Sequence, residues 1–350
     1  MKALFIGGTG IISMGITKLL GTPGCASPTW ELYLLNRGSQ RLSDRLSPDL
    51  PLNSITQLTA EIHDEATVSE LIKDLQFDVV ADFISFVPAQ LESRYRLFKG
   101  KTKQFIFISS ASAYQKPLSD YRVSEATPLA NPYWEYSRNK IACEEFLMKL
   151  YREDGFPVTI VRPSHTYDDR YIPLGVHGDK GSWQNVKRMI DGKPVIIHGD
   201  GTSLWTMTHN SDFAKGFVGL MGNLHAIGES VQITSDESLT WNQIYAAIAN
   251  VLNVELKPYY VSSSFLAKCS RYDFTGSLIG DKANSVVFDN SKLKRLVPDF
   301  VATKRFDQGI REVIENVLAN KDLQVEDPEF DAWCDKVILE LDSAIERIQS

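Results

Sequence analysis

The chain has 350 residues, 43% of them hydrophobic and 23% charged, with a formal net charge of −7. That length suits one large domain or two modest ones around a proper buried core, and the composition is that of an ordinary globular protein. A net negative charge without basic clusters argues against a nucleic-acid binder, and no apolar run reaches the roughly 18 residues of a membrane-spanning helix.

Residues 3–6 read as a strand, followed by Ile12, Ile16, Leu19 and Leu20 at helical spacing. Leu32-Tyr33-Leu34-Leu35 and residues 55–59 are the next strands, and Val68, Leu71, Ile72 and Leu75 mark a helix. Val79-Val80-Ala81 and Phe105-Ile106-Phe107-Ile108 follow as strands, then a helix over about 136–153 and a sixth strand at Val158-Thr159-Ile160-Val161. Continuous apolar strands alternating with helices predict a Rossmann-type, doubly wound parallel α/β sheet covered on both faces.

After residue 165 short strands (195–197, 231–233, 259–261) mix with helices (183–190, 211–222, 240–252, 305–319). The expected division is a dinucleotide-binding domain over 1–165, a smaller α/β substrate-binding part over 166–325 with the chain crossing back, and a C-terminal helix over 326–350. That helix carries Trp333, Val337, Leu341 and Ile345 on one stripe. The start of the chain has neither a basic n-region nor an apolar h-region, which predicts no secretory signal. Cys25, Cys143, Cys269 and Cys334 are far apart. Without a C-x-x-C pair they predict no disulfide framework and fit a reducing cytoplasm. His177, His198 and His209 lack ligand spacing, so no metal is expected.

Gly7-Gly8-Thr9-Gly10 lies between the first strand and the first helix. Glycine allows a tight turn and close approach of backbone to a pyrophosphate, which the free N–H groups and partial positive charge of a helix N-terminus attract. Ser13 stands where the dinucleotide fingerprint has its last glycine, and it is small enough to keep helix and strand close. The second strand ends Asn36-Arg37, where an NAD enzyme usually has an acid against the ribose hydroxyls. Arg37 can pair with a 2′-phosphate, which tilts NAD(P) toward NADP. Tyr136 and Lys140 are i and i+4 on a helix, hence on one face. A tyrosine near a lysine ammonium and an oxidised nicotinamide ring is a workable acid/base for hydride transfer at an alcohol carbon. Ser109-Ser110-Ala111-Ser112 follows the fifth strand, at the carboxyl edge where open α/β sheets bind ligands.

Gly7-Gly8-Thr9-Gly10, Ser109 to Tyr114, Tyr136-x-x-x-Lys140 and Arg162-Pro163-Ser164 together resemble the extended short-chain dehydrogenase/reductases, in particular the NAD-dependent epimerase/dehydratase family, over residues 1–320. The resemblance implies Ser110, Tyr136 and Lys140 as catalytic residues, with Ser112 a neighbour that can touch substrate. It implies Gly7, Gly10, Ile11 and Ile12 at the phosphates, Asn36 and Arg37 at the ribose, and Glu61 and Ile62 at the adenine. Phe83, Ile84 and Ser85 would run along the cofactor, Pro163 and Ser164 would flank the nicotinamide, and a homodimer would form through the Tyr136 helix. Three departures bear on the substrate. Ala111-Ser112 replaces the acid pair of the dehydratases, which disfavours dehydration. Trp205 stands where nucleotide-sugar members usually have a diphosphate-clamping arginine, leaving Arg188 or Lys187 as substitutes, and only Asp212 is acidic in Asn210-Ser211-Asp212. Tyr167, Trp183 and Trp205 are candidates for the pocket wall, and His165 is either a proton-transfer aid or a structural histidine. The leading expectation is an NAD(P)-dependent sugar or nucleotide-sugar epimerase. An NADPH-dependent carbonyl reductase comes next, and then a dinucleotide- or RNA-associated binding protein, against which the intact Ser110, Tyr136 and Lys140 argue.

Overall fold

The computed structural model describes residues 1–22, 24, 29–38, 42 and 55–350, so Cys25 lies outside the described residues. β1 (Lys2–Ile6), β2 (Glu31–Asn36), β3 (Ile55–Thr59), β4 (Val79–Asp82) and β5 (Phe105–Ile108) join the strands Val158–Pro163 and Ser230–Ile233 in one seven-stranded sheet. The order is Ser230–Ile233, Val158–Pro163, β5, β4, β1, β2, β3, with every pairing parallel. Successive residues of a strand face opposite sides. Ala3, Phe5, Leu32 and Leu34 therefore enter the core under α1 (Ile11–Gly21) and the helix Asn210–Leu220. Leu4, Ile6, Tyr33 and Leu35 enter the core on the other face, under α2 (Glu65–Leu71), α3 (Pro88–Phe98) and α4 (Glu135–Asp154).

The strand at 231–233, read from sequence among the short strands of the second part, is the edge strand of this main sheet. Beyond residue 165 the parallel pair Val195–His198 and Pro258–Val261 packs with the helices Trp183–Ile190, Trp241–Leu252 and Phe306–Ala319 around a separate core centred on Trp205, Trp241 and Phe306. The helix Pro328–Gln349 docks on the chain's own body through Phe330, Cys334 and Val337, with Trp333 and Leu341 of the stripe packed beside them; Ile345, placed on the same stripe by periodicity, is exposed. Among the described residues no helix is long and apolar enough to cross a membrane.

α1 is fixed from behind. Asn210 Nδ2 donates to the Ile11 carbonyl at 3.0 Å, and a Cβ at Gly15 would stand 2.4 Å from the Asn210 carbonyl oxygen. Gly15 thus lets two helices approach to backbone contact, and that approach sets where the N-terminus of α1 points. Gly15→Ala gains helix propensity but must separate the helices, so it should lower the unfolding free energy by about 1–3 kcal/mol. Denaturant titration checks this; an unchanged midpoint would mean the helices part without cost.

Candidate active site

The first half of the site is a groove along the carboxyl edge of β1, β2 and β4. The Gly7 φ is +85°, and a Cβ there would stand 2.3 Å from Ile84 Cγ2, so only glycine fits. Gly10 has open space beside it, its Cβ position meeting nothing nearer than Ser13 Oγ at 3.6 Å. The Ser13 hydroxyl does more than stay small: it donates to the Gly7 carbonyl at 2.8 Å and accepts from the Gly10 amide at 2.9 Å, holding the turn shut. Around the turn lies a space of about 540 Å³ lined by Gly7, Gly10, Asn36, Arg37, Glu61 and Ile62 among others. It meets a second space of about 310 Å³ lined by Ile11, Ile12, Phe83, Ile84, Ser110, Tyr136, Lys140, Pro163 and Ser164. A bare glycine backbone, the first amides of a helix and a hydroxyl-rich far end fit a dinucleotide. Arg37 reaches over the groove with an exposed side chain, its Nε 3.9 Å from Glu61 Oε2.

Buried charges shape the groove walls. Asp82, at the end of β4, accepts from the amides of Ile84 and Ser85, from Ser85 Oγ at 2.5 Å and from Arg94 Nε at 3.2 Å. Ser85 is consequently a buried strut of the loop and does not line the groove; its carbonyl accepts from Lys140 Nζ at 2.8 Å. Lys140 also donates to the Ile108 carbonyl at 2.7 Å, and burial pushes its ammonium down to about 8. Glu144, one turn further along α4, accepts from Ser109 Oγ at 2.5 Å and from Arg162 through both carboxylate oxygens. Asp82, Arg94 and Glu144 escaped the sequence reading, because a buried charge looks like a surface charge until its partner is known.

The second half is a cavity of about 340 Å³ beyond Tyr136. Ser110, Tyr136, Pro163 and Ser164 line both this cavity and the groove. Ser112 is also on its wall, its hydroxyl 2.9 Å from Ser110 Oγ and accepting from Ser137 Oγ at 2.7 Å. The Tyr136 ring lies 4.9 Å from Trp134 and 6.2 Å from Phe86, and Lys140 Nζ is 5.8 Å from its centroid. Burial pushes the phenol above its ordinary value; the Ser110 hydroxyl partly offsets this and the Asp281 carboxylate adds to it. Trp205 is on the wall, and its indole donates to His165 Nδ1 at 3.1 Å. An indole can only donate, so a neutral His165 carries its proton on Nε2, and burial keeps this imidazole neutral.

Three pocket candidates lie elsewhere. Tyr167 is fully buried against His209 and Phe306, and Trp183 packs on the core of the second part. Arg188 is fully buried and pairs with Asp331 at 2.6 Å and Asp335 at 2.7 Å, anchoring the C-terminal helix rather than a phosphate. Conversely Lys116, Asp281 and Lys282, which the sequence reading passed over, line the cavity.

The sequence model of the NAD dependent epimerase/dehydratase family matches residues 3–233. The chain is similar to 2′-dehydrokanamycin reductase of Streptomyces kanamyceticus, 24% identical over 310 residues, covering 86% of this chain and 80% of that one. It is 30% identical over 148 residues to an uncharacterised UDP-glucose epimerase of Bacillus subtilis, covering 42% of this chain and 44% of the relative. Its fold is like that of dTDP-glucose 4,6-dehydratase of Bacillus anthracis, solved in complex with NAD, with a TM-score of 0.68 at 19% identity over 92% of this chain and 98% of the other.

Glu144 ties Ser109 to Arg162, the chain neighbours of Ser110 and Pro163, which groove and cavity share. Glu144→Gln removes the carboxylate and leaves a buried guanidinium unpaired, which should cost about 3–5 kcal/mol of stability. Thermal and denaturant unfolding of the variant check this; a loss under about 1 kcal/mol would mean that water reaches Arg162.

Proposed function

This chain belongs to the NAD dependent epimerase/dehydratase family, and on that premise we propose that it is an NAD(P)-dependent epimerase that acts on a carbinol carbon of a sugar or nucleotide sugar through a transient ketone. The observation that carries the reading is the sharing of Ser110 and Tyr136 between the dinucleotide groove and the cavity beyond it. A group between them touches both the coenzyme and whatever fills the cavity.

A bound nicotinamide dinucleotide would supply the hydride acceptor and return the hydride. Gly7, Gly10 and the amides of Ile11 and Ile12 would hold its pyrophosphate, Glu61 and Ile62 its adenine, and Phe83, Ile84, Pro163 and Ser164 its nicotinamide end. Tyr136 takes the carbinol proton as hydride leaves, while Ser110 holds the same oxygen by a hydrogen bond. Lys140 spends two N–H groups on the Ser85 and Ile108 carbonyls and has a third to offer the groove. Return of the proton from Tyr136 to the ketone oxygen, with hydride reaching the opposite face of the carbonyl carbon, would complete the inversion. Dehydration is disfavoured: Ala111 and Ser112 occupy the acid-pair positions, and Asp281 brings a single carboxyl to the cavity.

A second reading, a reductase consuming NADPH, draws on one specific observation. Burial keeps the Tyr136 phenol protonated, the form that donates to a carbonyl. The similarity to 2′-dehydrokanamycin reductase over 86% of the chain supports the same reading. The fate of the dinucleotide separates the two: an epimerase retains it unchanged through many turnovers, whereas a reductase consumes one reduced dinucleotide per product.

Tyr136→Phe should reduce turnover by at least about a hundredfold while leaving dinucleotide affinity within a factor of two. Single-turnover kinetics and equilibrium binding test this together, and a Phe variant that keeps most of its turnover would remove Tyr136 from the acid/base role. The NADP tilt rests on Arg37, with Glu61 as its competing partner. Arg37→Asp should weaken NADP binding about tenfold or more relative to NAD; equal changes for both would show that Arg37 does not meet the 2′-phosphate.

A further inference from the structure

The cavity beyond Tyr136 carries two lysines and a carboxyl that the proposed chemistry does not use. Lys116 is 4% exposed and Lys282 9%, and both line the cavity with Asp281. Lys116 Nζ makes no hydrogen bond and no ion pair with any described residue. Lys282 Nζ has one long hydrogen bond, 3.4 Å to the Ser277 carbonyl, and sits 6.0 Å from the Trp134 ring centroid. The Asp281 carboxylate is near enough to act on both ammonium groups through space, yet it forms a direct ion pair with neither. Two lysines thus face a single carboxyl in a wall that also carries the aromatic Trp134, Trp205 and Phe288 and the hydroxyls of Ser110, Ser112 and Tyr136. Burial disfavours the charged form of all three groups, lowering both ammonium groups and raising the Asp281 carboxyl, so the lysines hold their protons best when an anion joins them. His165 brings no positive charge to the cavity, because burial keeps it neutral. A buried ammonium with no partner is costly, and a bound anion removes the cost while adding charge-assisted hydrogen bonds.

We infer that Lys116, with Lys282 beside it, is an anion subsite for an acidic substituent on the sugar itself, a carboxylate or a phosphate monoester. The inference rests on the proposed reading of the groove and names the substrate class for it. It agrees with the buried indole of Trp205 at the position of a diphosphate-clamping arginine, since the cations that line the cavity are Lys116 and Lys282. An anchored substituent also holds one end of the sugar in place while the reacting carbon faces Tyr136.

The test is calorimetric titration of the dinucleotide-loaded protein with glucose, glucuronate, glucose 6-phosphate and UDP-glucose. Glucuronate or glucose 6-phosphate should bind at least about tenfold tighter than glucose, and whichever is tighter identifies the anion. Lys116→Met should erase that advantage, Lys116→Arg should keep part of it, and glucose and dinucleotide affinities should stay unchanged in both variants. The arginine variant guards against misfolding, since it keeps the charge and the bulk. The subsite is overturned if the acidic sugars bind no tighter than glucose, or if their advantage survives Lys116→Met. It is also overturned if UDP-glucose binds as tightly as the acidic sugars with the same Lys116 dependence. Dinucleotide binding by the same sample keeps those outcomes apart from failure of the wider reading, which failure to bind any dinucleotide would overturn along with the subsite.

Discussion

One stripe of α4 holds the site together. Tyr136, Lys140 and Glu144 recur at every fourth position, so they stand above one another on the helix face that meets the carboxyl edge of the sheet. Lys140 binds the Ile108 carbonyl at the end of β5 and the Ser85 carbonyl beyond β4, while Glu144 joins Ser109 to Arg162 on the next strand. Three strand ends are thereby fixed relative to Tyr136 by buried charged groups. Such bonds are unforgiving, since a buried charge that loses its partner costs far more than an exposed one. The same constraint that positions the phenol also stiffens the floor of the groove.

The second constraint comes from behind α1. The Asn210 side chain and the absent Cβ of Gly15 fix that helix against the helix Asn210–Leu220, while Ser13 closes the glycine turn in front of it. Dinucleotide groove and second part are therefore mechanically linked, because Asn210 directly follows the strand Met207–His209, which pairs with His165–Tyr167 just beyond the Pro163-Ser164 wall.

Much of this was legible in the sequence, because parallel strands buried on both faces advertise themselves as apolar runs, and the glycine turn and the Tyr136–Lys140 spacing need no tertiary information. The edge strand at 230–233 was legible as a strand but not in its sheet: its pairing with Val158–Pro163 joins segments some 70 residues apart, beyond the reach of local pattern. Arg188 and Tyr167 misled for one reason. Polarity in a predicted second part suggests ligand contact, but Arg188 is consumed by two aspartates of the C-terminal helix and Tyr167 by aromatic packing. Lys116 and Asp281 were invisible because 165 residues separate them, and only the folded chain brings both to one cavity.

The electrostatics of Tyr136 also differ from the simple expectation that a neighbouring lysine makes the phenol acidic. Lys140 sits 5.8 Å from the ring centroid, spends two of its protons on carbonyls, and is itself pushed down to about 8 by burial. Burial wins at the phenol too and raises it. Sign matters here: a raised phenol holds its proton at neutral pH, so the chain alone presents Tyr136 as an acid. In the proposed role it would become a base only when further positive charge arrives beside it, because in a poorly solvated site a cation at short range acts far more strongly than in water. A nicotinamide ring is cationic when oxidised and neutral when reduced. The protonation of Tyr136 would then follow the redox state across the groove: deprotonated when an alcohol must lose a proton, protonated when a ketone must gain one. In the proposed reaction, the burial that raises the phenol would be what lets one tyrosine serve both half-reactions.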